Sequence, residues 1–184
     1  VFDSSEPGDR VFRQALSRMK ASDDVKWVLL PGNHDPARAD GLWSRLRSEA
    51  PVNVVACVEP QVVNLEDDLA ILPAPLQFKR TSEDPTAWFD GAVTEPGAAR
   101  IGLAHGSVVE FGSDGPNNLI ASDRAARAGL QYLALGDWHG CKEVNSRTYY
   151  SGTPEPDDFG RDATGRVLII EPRGANSPPA LREV

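Results

Sequence analysis

Three histidines are the residues best placed to do chemistry in this chain. They are His34, His105 and His139; the chain contains no others, and each directly follows a predicted buried strand with a glycine close by. Functional sites in α/β sheets assemble at the carboxyl ends of strands. Imidazole nitrogen together with carboxylate and amide oxygen is a donor set that divalent transition metals accept. We therefore predict that the three imidazoles meet in one cleft with Asn33 and Asp137.

A purely structural role is the alternative explanation for these residues. A single histidine beside a strand most often packs or closes a turn, and Asn33 and Asp137 stand close to glycines, where such residues are typical turn formers. Three histidines out of three at strand ends make coincidence the weaker explanation. The acidic clusters at 66–68 and 157–158 are better explained as solvated turns than as ligands.

The elements that must position the histidines are short and alternate between strand and helix. Apolar residues at helical spacing predict a helix over 7–21, and further helices are predicted over 42–49 and 121–130. Apolar runs predict strands over 26–30, 52–56, 61–65, 69–72, 100–104, 132–135 and 148–150, and a hairpin of 166–170 with 180–184. Residues 74–98 are expected to be loop with one helical turn near Ala87. This alternation predicts an α/β fold, and the hairpin-like C-terminal third predicts a mixed sheet.

Composition and charge limit the class of protein. The chain has 184 residues, of which 40% are hydrophobic and 25% charged, which fits one folded domain and excludes a disordered chain. No apolar run approaches the roughly 20 residues of a membrane span, so no membrane association is expected. The net charge of −8 disfavours a broad nucleic-acid surface. Cys57 and Cys141 are expected to be free thiols, as in a cytoplasmic protein.

Four short motifs resemble those of calcineurin-like metallophosphoesterases. Residues 32–35 read Gly-Asn-His-Asp, His105 follows a hydrophobic strand, and residues 136–139 read Gly-Asp-Trp-His; these resemble the last three motifs of that family. Residues 1–3 resemble the tail of its G-D-x-x-D motif. Residues 150–156, followed by Phe159 and Gly160, resemble a segment of SbcD-type DNA-repair exonucleases. The resemblance implies one α/β metallophosphoesterase domain over residues 1–184, a two-sheet β-sandwich with mixed sheets flanked by helices.

The chain departs from the family pattern in two places. The D-x-H motif and the first aspartate of G-D-x-x-D are absent, so we expect the chain to begin about one strand-turn-strand unit into the domain and to lack its first motif segment. In the family these motifs supply most ligands of one metal, so this chain without them is expected to be a poor catalyst. Asp137 stands where the family has the first histidine of G-H-x-H. A carboxylate can ligate a divalent metal through oxygen, so the site either keeps a harder ligand or binds metal more weakly.

The resemblance implies two divalent metal ions as cofactors. Asn33, His105 and Asp137 would bind one ion, and His139 would bind the other. Two ions about 3.5–4 Å apart clamp a phosphate group and lower the pKa of a shared water. Manganese is favoured because the donor set is rich in oxygen, and iron or zinc are the alternatives.

The resemblance also implies roles for residues that do not bind metal. His34 would lie over the phosphate and protonate the leaving group or stabilise its charge. Asp35 would either hold the His34 imidazole in the useful tautomer or close the turn, with turn closure slightly favoured. Asp3 would support the ligands without binding metal itself.

The expected function is metal-dependent hydrolysis of phosphodiester bonds, with DNA exonucleases of the SbcD type as the nearest relatives. The expected partner is a phosphoester substrate; DNA is one candidate, although the net charge does not support it. One alternative is a phosphoesterase or phosphatase for small molecules, which the acidic composition favours. The other is a metal-poor scaffold subunit that kept the fold and lost half of the site.

Overall fold

The computed structural model describes residues 2, 4–66, 68–109, 117–155, 165–173 and 177–184, which form a mixed α/β structure with several sheets. The helices are α1 (Asp9–Ala21), α2 (Leu42–Glu49) and α3 (Arg124–Arg127), and a 3-10 helix spans Ala87–Gly91. The strands are β1 (Trp27–Leu29), β2 (Val54–Ala56), β3 (Val63–Glu66), β4 (Leu69–Ala74), β5 (Ala99–His105), β6 (Ser107–Val108), β7 (Leu119–Ile120), β8 (Tyr132–Gly136), β9 (Lys142–Asn145), β10 (Thr148–Tyr150), β11 (Leu168–Glu171) and β12 (Ala180–Glu183). The predicted α/β class is therefore confirmed.

The largest sheet has six strands in the order β3-β4-β5-β8-β10-β9. The four inner strands run parallel, whereas the edge strands β3 and β9 run antiparallel to their neighbours, so the sheet is mixed, as predicted. The register pairs His105 with Gly136 at the ends of β5 and β8. The segments that follow these two strands therefore leave the sheet side by side.

A second, two-stranded sheet carries the loop that contains Asn33 and His34. Here β1 pairs in parallel with β2. After β1 the chain is tied to the segment that follows β4, because the Ala37 amide donates to the Leu76 carbonyl at 2.8 Å. Since β4 is the parallel neighbour of β5, this bond brings residues 31–37 to the carboxyl edge of the large sheet.

The buried apolar side chains form two clusters, one on the six-stranded sheet and one on the β1–β2 sheet. The six-stranded sheet is packed around residues such as Leu72 and Leu133, both fully buried. The other cluster joins α1, α2 and β1 through Phe12, Trp43 and Leu46. The helical spacing of apolar residues in the sequence thus marks the faces of α1 and α2 that bury against the smaller sheet, and both predicted helices are confirmed.

The helix predicted over 121–130 is much shorter in the structure. Only Arg124–Arg127 is helical, and Asp123 at its N-cap makes no side-chain capping hydrogen bond. Gly129, at φ +61°, turns the chain away directly after the helix. Arg124 is buried and donates to Asp84 at 2.8 Å, which ties this segment to a distant loop. The predicted length is therefore wrong, because local periodicity does not report this long-range ion pair.

The remaining strands divide into predicted and unpredicted ones. The C-terminal hairpin is confirmed, with β11 and β12 antiparallel. Strands β6 and β7 have two residues each, which is too short for any hydrophobic period to show, and β9 is polar. His105 and Gly136 are the last residues of their strands; the prediction placed both just beyond the strand ends.

Both cysteines are free thiols, as predicted. Cys57 is buried, and burial raises the pKa of its thiol to about 11, so it stays protonated at neutral pH and is unsuited to nucleophilic chemistry. Within the residue ranges given above, no helix is both long and apolar enough to cross a bilayer.

Candidate functional site

The three histidines converge on one cleft, as the sequence predicts. The cleft has a volume of about 670 Å³ and lies where β1, β5 and β8 end. Asn33 and Asp137 are among its lining residues. The other residues of the cleft are Phe2, Leu30, Gly32, His34, Asp35, His105, Gly136, Trp138, His139, Gly152 and Thr153. Residues separated by more than 100 positions in the chain thus share one concave surface with polar and apolar parts.

Asp137 is the centre of the hydrogen bonding in this cleft. One carboxylate oxygen accepts from the Asn33 amide at 3.0 Å, and the other accepts from the Ser107 hydroxyl at 2.9 Å. The backbone of Asp137 has φ +106°, a conformation that L-residues rarely adopt. These two bonds, made to segments that follow β1 and β5, hold the carboxylate in the cleft despite the unfavourable backbone.

The charge of Asp137 is stabilised by its neighbours. The pKa of Asp137 is held below its usual range, mainly by the His105 imidazole beside the carboxyl group. Burial raises this pKa, whereas the Ser107 hydroxyl lowers it further. Ser107 was not predicted from the sequence. Its only signal is its position two residues after His105, on a backbone that turns at Gly106.

The imidazole of His105 lies between two glycines. A methyl group on Gly32 would lie 2.9 Å from His105 Cε1, and one on Gly136 would lie 2.8 Å from His105 Nδ1. The Nε2 atom is buried, lies 3.5 Å from Asp137 Oδ1, and makes no hydrogen bond with any described residue. A buried ring nitrogen without a hydrogen bond costs free energy unless something else binds it.

The side chains of Asn33, His105 and Asp137 fit a site for a divalent cation. They supply amide, imidazole and carboxylate donors, and the buried Nε2 atom of His105 faces the carboxylate. Each carboxylate oxygen has two acceptor positions, so the hydrogen bonds already made leave room for a cation. Among the described residues, no three or more His, Cys, Asp and Glu side chains lie close enough together to hold a metal ion. The candidate site has three ligands only when the Asn33 amide is counted with His105 and Asp137.

His34 and His139 present exposed side chains in the same cleft. The loop that carries His139 is held in place by the segment after β10, because the His139 carbonyl accepts from the Thr153 amide at 2.9 Å. A methyl group on Gly152 would lie 2.8 Å from that carbonyl oxygen, so the two segments pack without space for a side chain. The stretch starting at Tyr150 therefore contributes to the cleft. Asp3, Pro156, Phe159 and Gly160 lie outside the described residues.

Asp35 closes the turn that carries Asn33 and His34. Its side chain is 1% exposed and accepts from the Gly32 amide at 2.8 Å and from the Phe2 amide at 3.1 Å. Its backbone carbonyl accepts from the Trp43 indole. Of the two roles left open by the sequence, turn closure is the one these bonds support.

Replacing Asp35 with alanine is expected to lower the free energy of unfolding by about 2–6 kcal/mol. The substitution leaves two backbone N–H groups without their charged acceptor, at about 1–3 kcal/mol each. Urea denaturation followed by circular dichroism measures the change. Asp40→Ala is the matched control, since Asp40 is exposed and its loss should change stability by less than about 0.5 kcal/mol. Equal stability of the two variants would contradict the role of Asp35.

No family model and no curated protein matches the chain, so the geometry of the cleft is what supports a function.

Proposed function

We propose that the chain is a metal-dependent phosphoesterase of the calcineurin-like kind, which hydrolyses phosphodiester bonds. The observation that carries the proposal is the meeting of three separate motifs, centred on His34, His105 and His139, in one cleft at the carboxyl edge of the sheets. The proposal includes the finer architecture: the six-stranded sheet and the β1–β2 pair would belong to the two layers of a β-sandwich flanked by helices.

The cation-binding residues follow from the donor atoms present. Asn33, His105 and Asp137 would hold one divalent ion, and His139 would contribute to a second. When bound, such ions neutralise phosphate oxygens and lower the pKa of a coordinated water. Because two of the three donors at the first site are oxygens, manganese is the favoured ion, with iron and zinc as alternatives.

His34 would act on the leaving group. Its side chain is exposed in the cleft, while its neighbours Asn33 and Asp35 are held by the hydrogen bonds described above. The backbone of the turn that carries the imidazole is thereby fixed in the cleft. In this position it would donate a proton to the departing oxygen of the ester, which is the work of a general acid.

Hydrolysis of bis-(p-nitrophenyl) phosphate tests the proposal directly. The purified intact protein should release p-nitrophenolate when manganese is added, and excess EDTA should stop the release until manganese is restored. Absence of turnover with manganese, iron and zinc in turn would contradict the proposal.

Asp137 separates this proposal from a second candidate, a binding subunit with a weak metal site. Both carboxylate oxygens already accept hydrogen bonds from the protein, which favours that candidate. If Asp137 is a ligand, Asp137→Ala should weaken metal binding more than about 100-fold, beyond the cost of losing an outer hydrogen-bond partner. Asp137→His should keep activity and shift the preference towards zinc or iron.

Asp137→Asn provides the control for the backbone. Asparagine tolerates positive φ better than most residues, so this variant keeps the turn and removes the charge. Metal content by elemental analysis and manganese-dependent hydrolysis are measured for all three variants. Full metal occupancy and full activity in Asp137→Ala would show that this residue only closes a turn.

A further inference from the structure

Trp138 is an exposed aromatic residue inside the cleft. It stands between Asp137 and His139, lines the cleft, and is 49% exposed. The other three tryptophans of the chain are buried or half-buried. An indole left in water forgoes the free energy that burying its large apolar surface would give. Its position beside the candidate cation-binding residues calls for a functional explanation.

The Trp138 ring is in contact with a residue of a neighbouring strand. The Lys142 ammonium in β9 lies 4.9 Å from the centroid of the Trp138 ring, within the range of a cation–π contact. This contact occupies one side of the indole with a group from the same chain. The same ring lines the cleft and is 49% exposed.

The cleft is large and has an apolar part as well as a polar one. Its volume of about 670 Å³ is in the range of sites for whole small molecules, about 300–1,000 Å³. Phe2 and Leu30 add apolar surface to the wall, and Phe2 is stacked on Phe12 with ring centroids 6.2 Å apart. The cleft therefore contains the candidate cation-binding residues, through which a phosphate would be held. Beside them lies an aromatic surface that suits a planar group.

We propose that Trp138 is a specificity-determining residue that stacks on a planar aromatic group attached to the phosphoester, as the base of a nucleotide is. This inference rests on the proposed function for the position of the phosphate. Aryl groups and nucleobases share the chemistry that the indole recognises, and a base has the larger face. A phosphoester without such a group leaves the Trp138 surface exposed to water and is bound more weakly.

Binding of three non-hydrolysable ligands tests the inference without turnover. They are the methylenephosphonate analogues of adenosine 5′-monophosphate, phenyl phosphate and ribose 5-phosphate, titrated calorimetrically into the manganese-loaded protein. Stacking on one aromatic side chain makes the adenosine analogue bind roughly 5- to 150-fold more tightly than the ribose analogue. The phenyl analogue distinguishes a general aryl site from a site for a nucleobase. At a general aryl site its dissociation constant equals that of the adenosine analogue, and at a nucleobase site its dissociation constant lies between those of the adenosine and ribose analogues.

The variants assign the preference to one residue. In Trp138→Ala the ratio of the two dissociation constants falls to near one, whereas Trp138→Phe keeps most of it. Phe78→Ala is the matched control, because Phe78 is 73% exposed and lies outside the cleft, and it leaves the ratio unchanged. Equal binding of the adenosine and ribose analogues to the wild-type protein overturns the inference, as does a ratio that survives in Trp138→Ala or the absence of binding by all three ligands.

Failure of this inference is distinguishable from failure of the proposed function. Hydrolysis of bis-(p-nitrophenyl) phosphate is measured on the same preparation. Turnover with no preference for the adenosine analogue overturns the role of Trp138 and leaves the phosphoesterase proposal standing. A Trp138-dependent preference without turnover supports the aromatic site and contradicts the phosphoesterase proposal.

Discussion

Replacing His34 with alanine is expected to lower phosphodiester turnover by about 10²–10⁴-fold, the usual worth of a positioned general acid. The metal content of the protein should not change, because His34 is not among the proposed ligands. Stability should also be nearly unchanged, since the side chain is exposed and the turn is held by Asp35. Steady-state kinetics, elemental analysis and thermal denaturation of the variant measure these three quantities.

The dependence on the leaving group gives this prediction its sharpest form. Phenolate is a more basic and therefore poorer leaving group than p-nitrophenolate, so its departure depends more on protonation by a general acid. The loss caused by His34→Ala should therefore be larger for a phenyl ester than for the p-nitrophenyl ester. Imidazole added to the buffer should restore part of the activity of the variant. Loss of metal from His34→Ala, or an equal loss for both esters, would show that His34 does not act as a proton donor.

Replacing His105 with alanine is expected to remove both bound metal and activity. The substitution deletes the imidazole donor of the first proposed site and leaves Asn33 and Asp137 as an amide and a carboxylate without a nitrogen partner. Metal stoichiometry after dialysis, together with manganese-dependent hydrolysis, measures the outcome. Thermal denaturation must accompany it, because the side chain fills the space between Gly32 and Gly136.

A second variant reaches the same imidazole without deleting a ligand. In Gly136→Ala the new methyl group would lie 2.8 Å from His105 Nδ1, which is too close for the ring to stay in place. We expect a loss of metal in the same direction as in His105→Ala. Gly8→Ala is the control, because nothing lies within 4 Å of a methyl group at Gly8. Full metal content in both His105→Ala and Gly136→Ala would remove His105 from the site.

Local patterns in the sequence were sufficient to predict the elements that place the site. Helices α1 and α2 bury apolar residues at helical spacing, and β1, β5 and β8 are apolar runs. Strand β5 ends at His105 and β8 ends at Gly136. Because parallel strands present their carboxyl ends at one edge, the convergence of His105 and His139 could be inferred without knowing the strand order. His34 follows β1 in the two-stranded sheet, and a hydrogen bond from Ala37 to Leu76 ties its loop to the large sheet.

The bonds inside the site could not be predicted in the same way. The hydrogen bond from Asn33 to Asp137 joins residues 104 positions apart, and that from Ser107 to Asp137 joins residues 30 positions apart. No local period encodes such pairs, because they depend on which loops the fold brings together. The same reason explains the short α3, whose Arg124 bonds to Asp84 40 positions away. Asp35 could be assigned to its turn only once its two backbone donors were located.

The packing of His105 between two glycines has a consequence for related sequences. Positions 32, 105 and 136 share one small volume, so a side chain can occupy only one of them. We expect the three positions to vary together: chains with histidine at position 105 keep glycine at both of the others, and chains with a small residue at 105 admit alanine or serine at one of them. In an alignment of related sequences, positions 32, 105 and 136 should therefore covary more strongly than the other positions in the loops that line the cleft. Sequences that do not follow this pattern should also lack the amide at position 33 and the carboxylate at position 137.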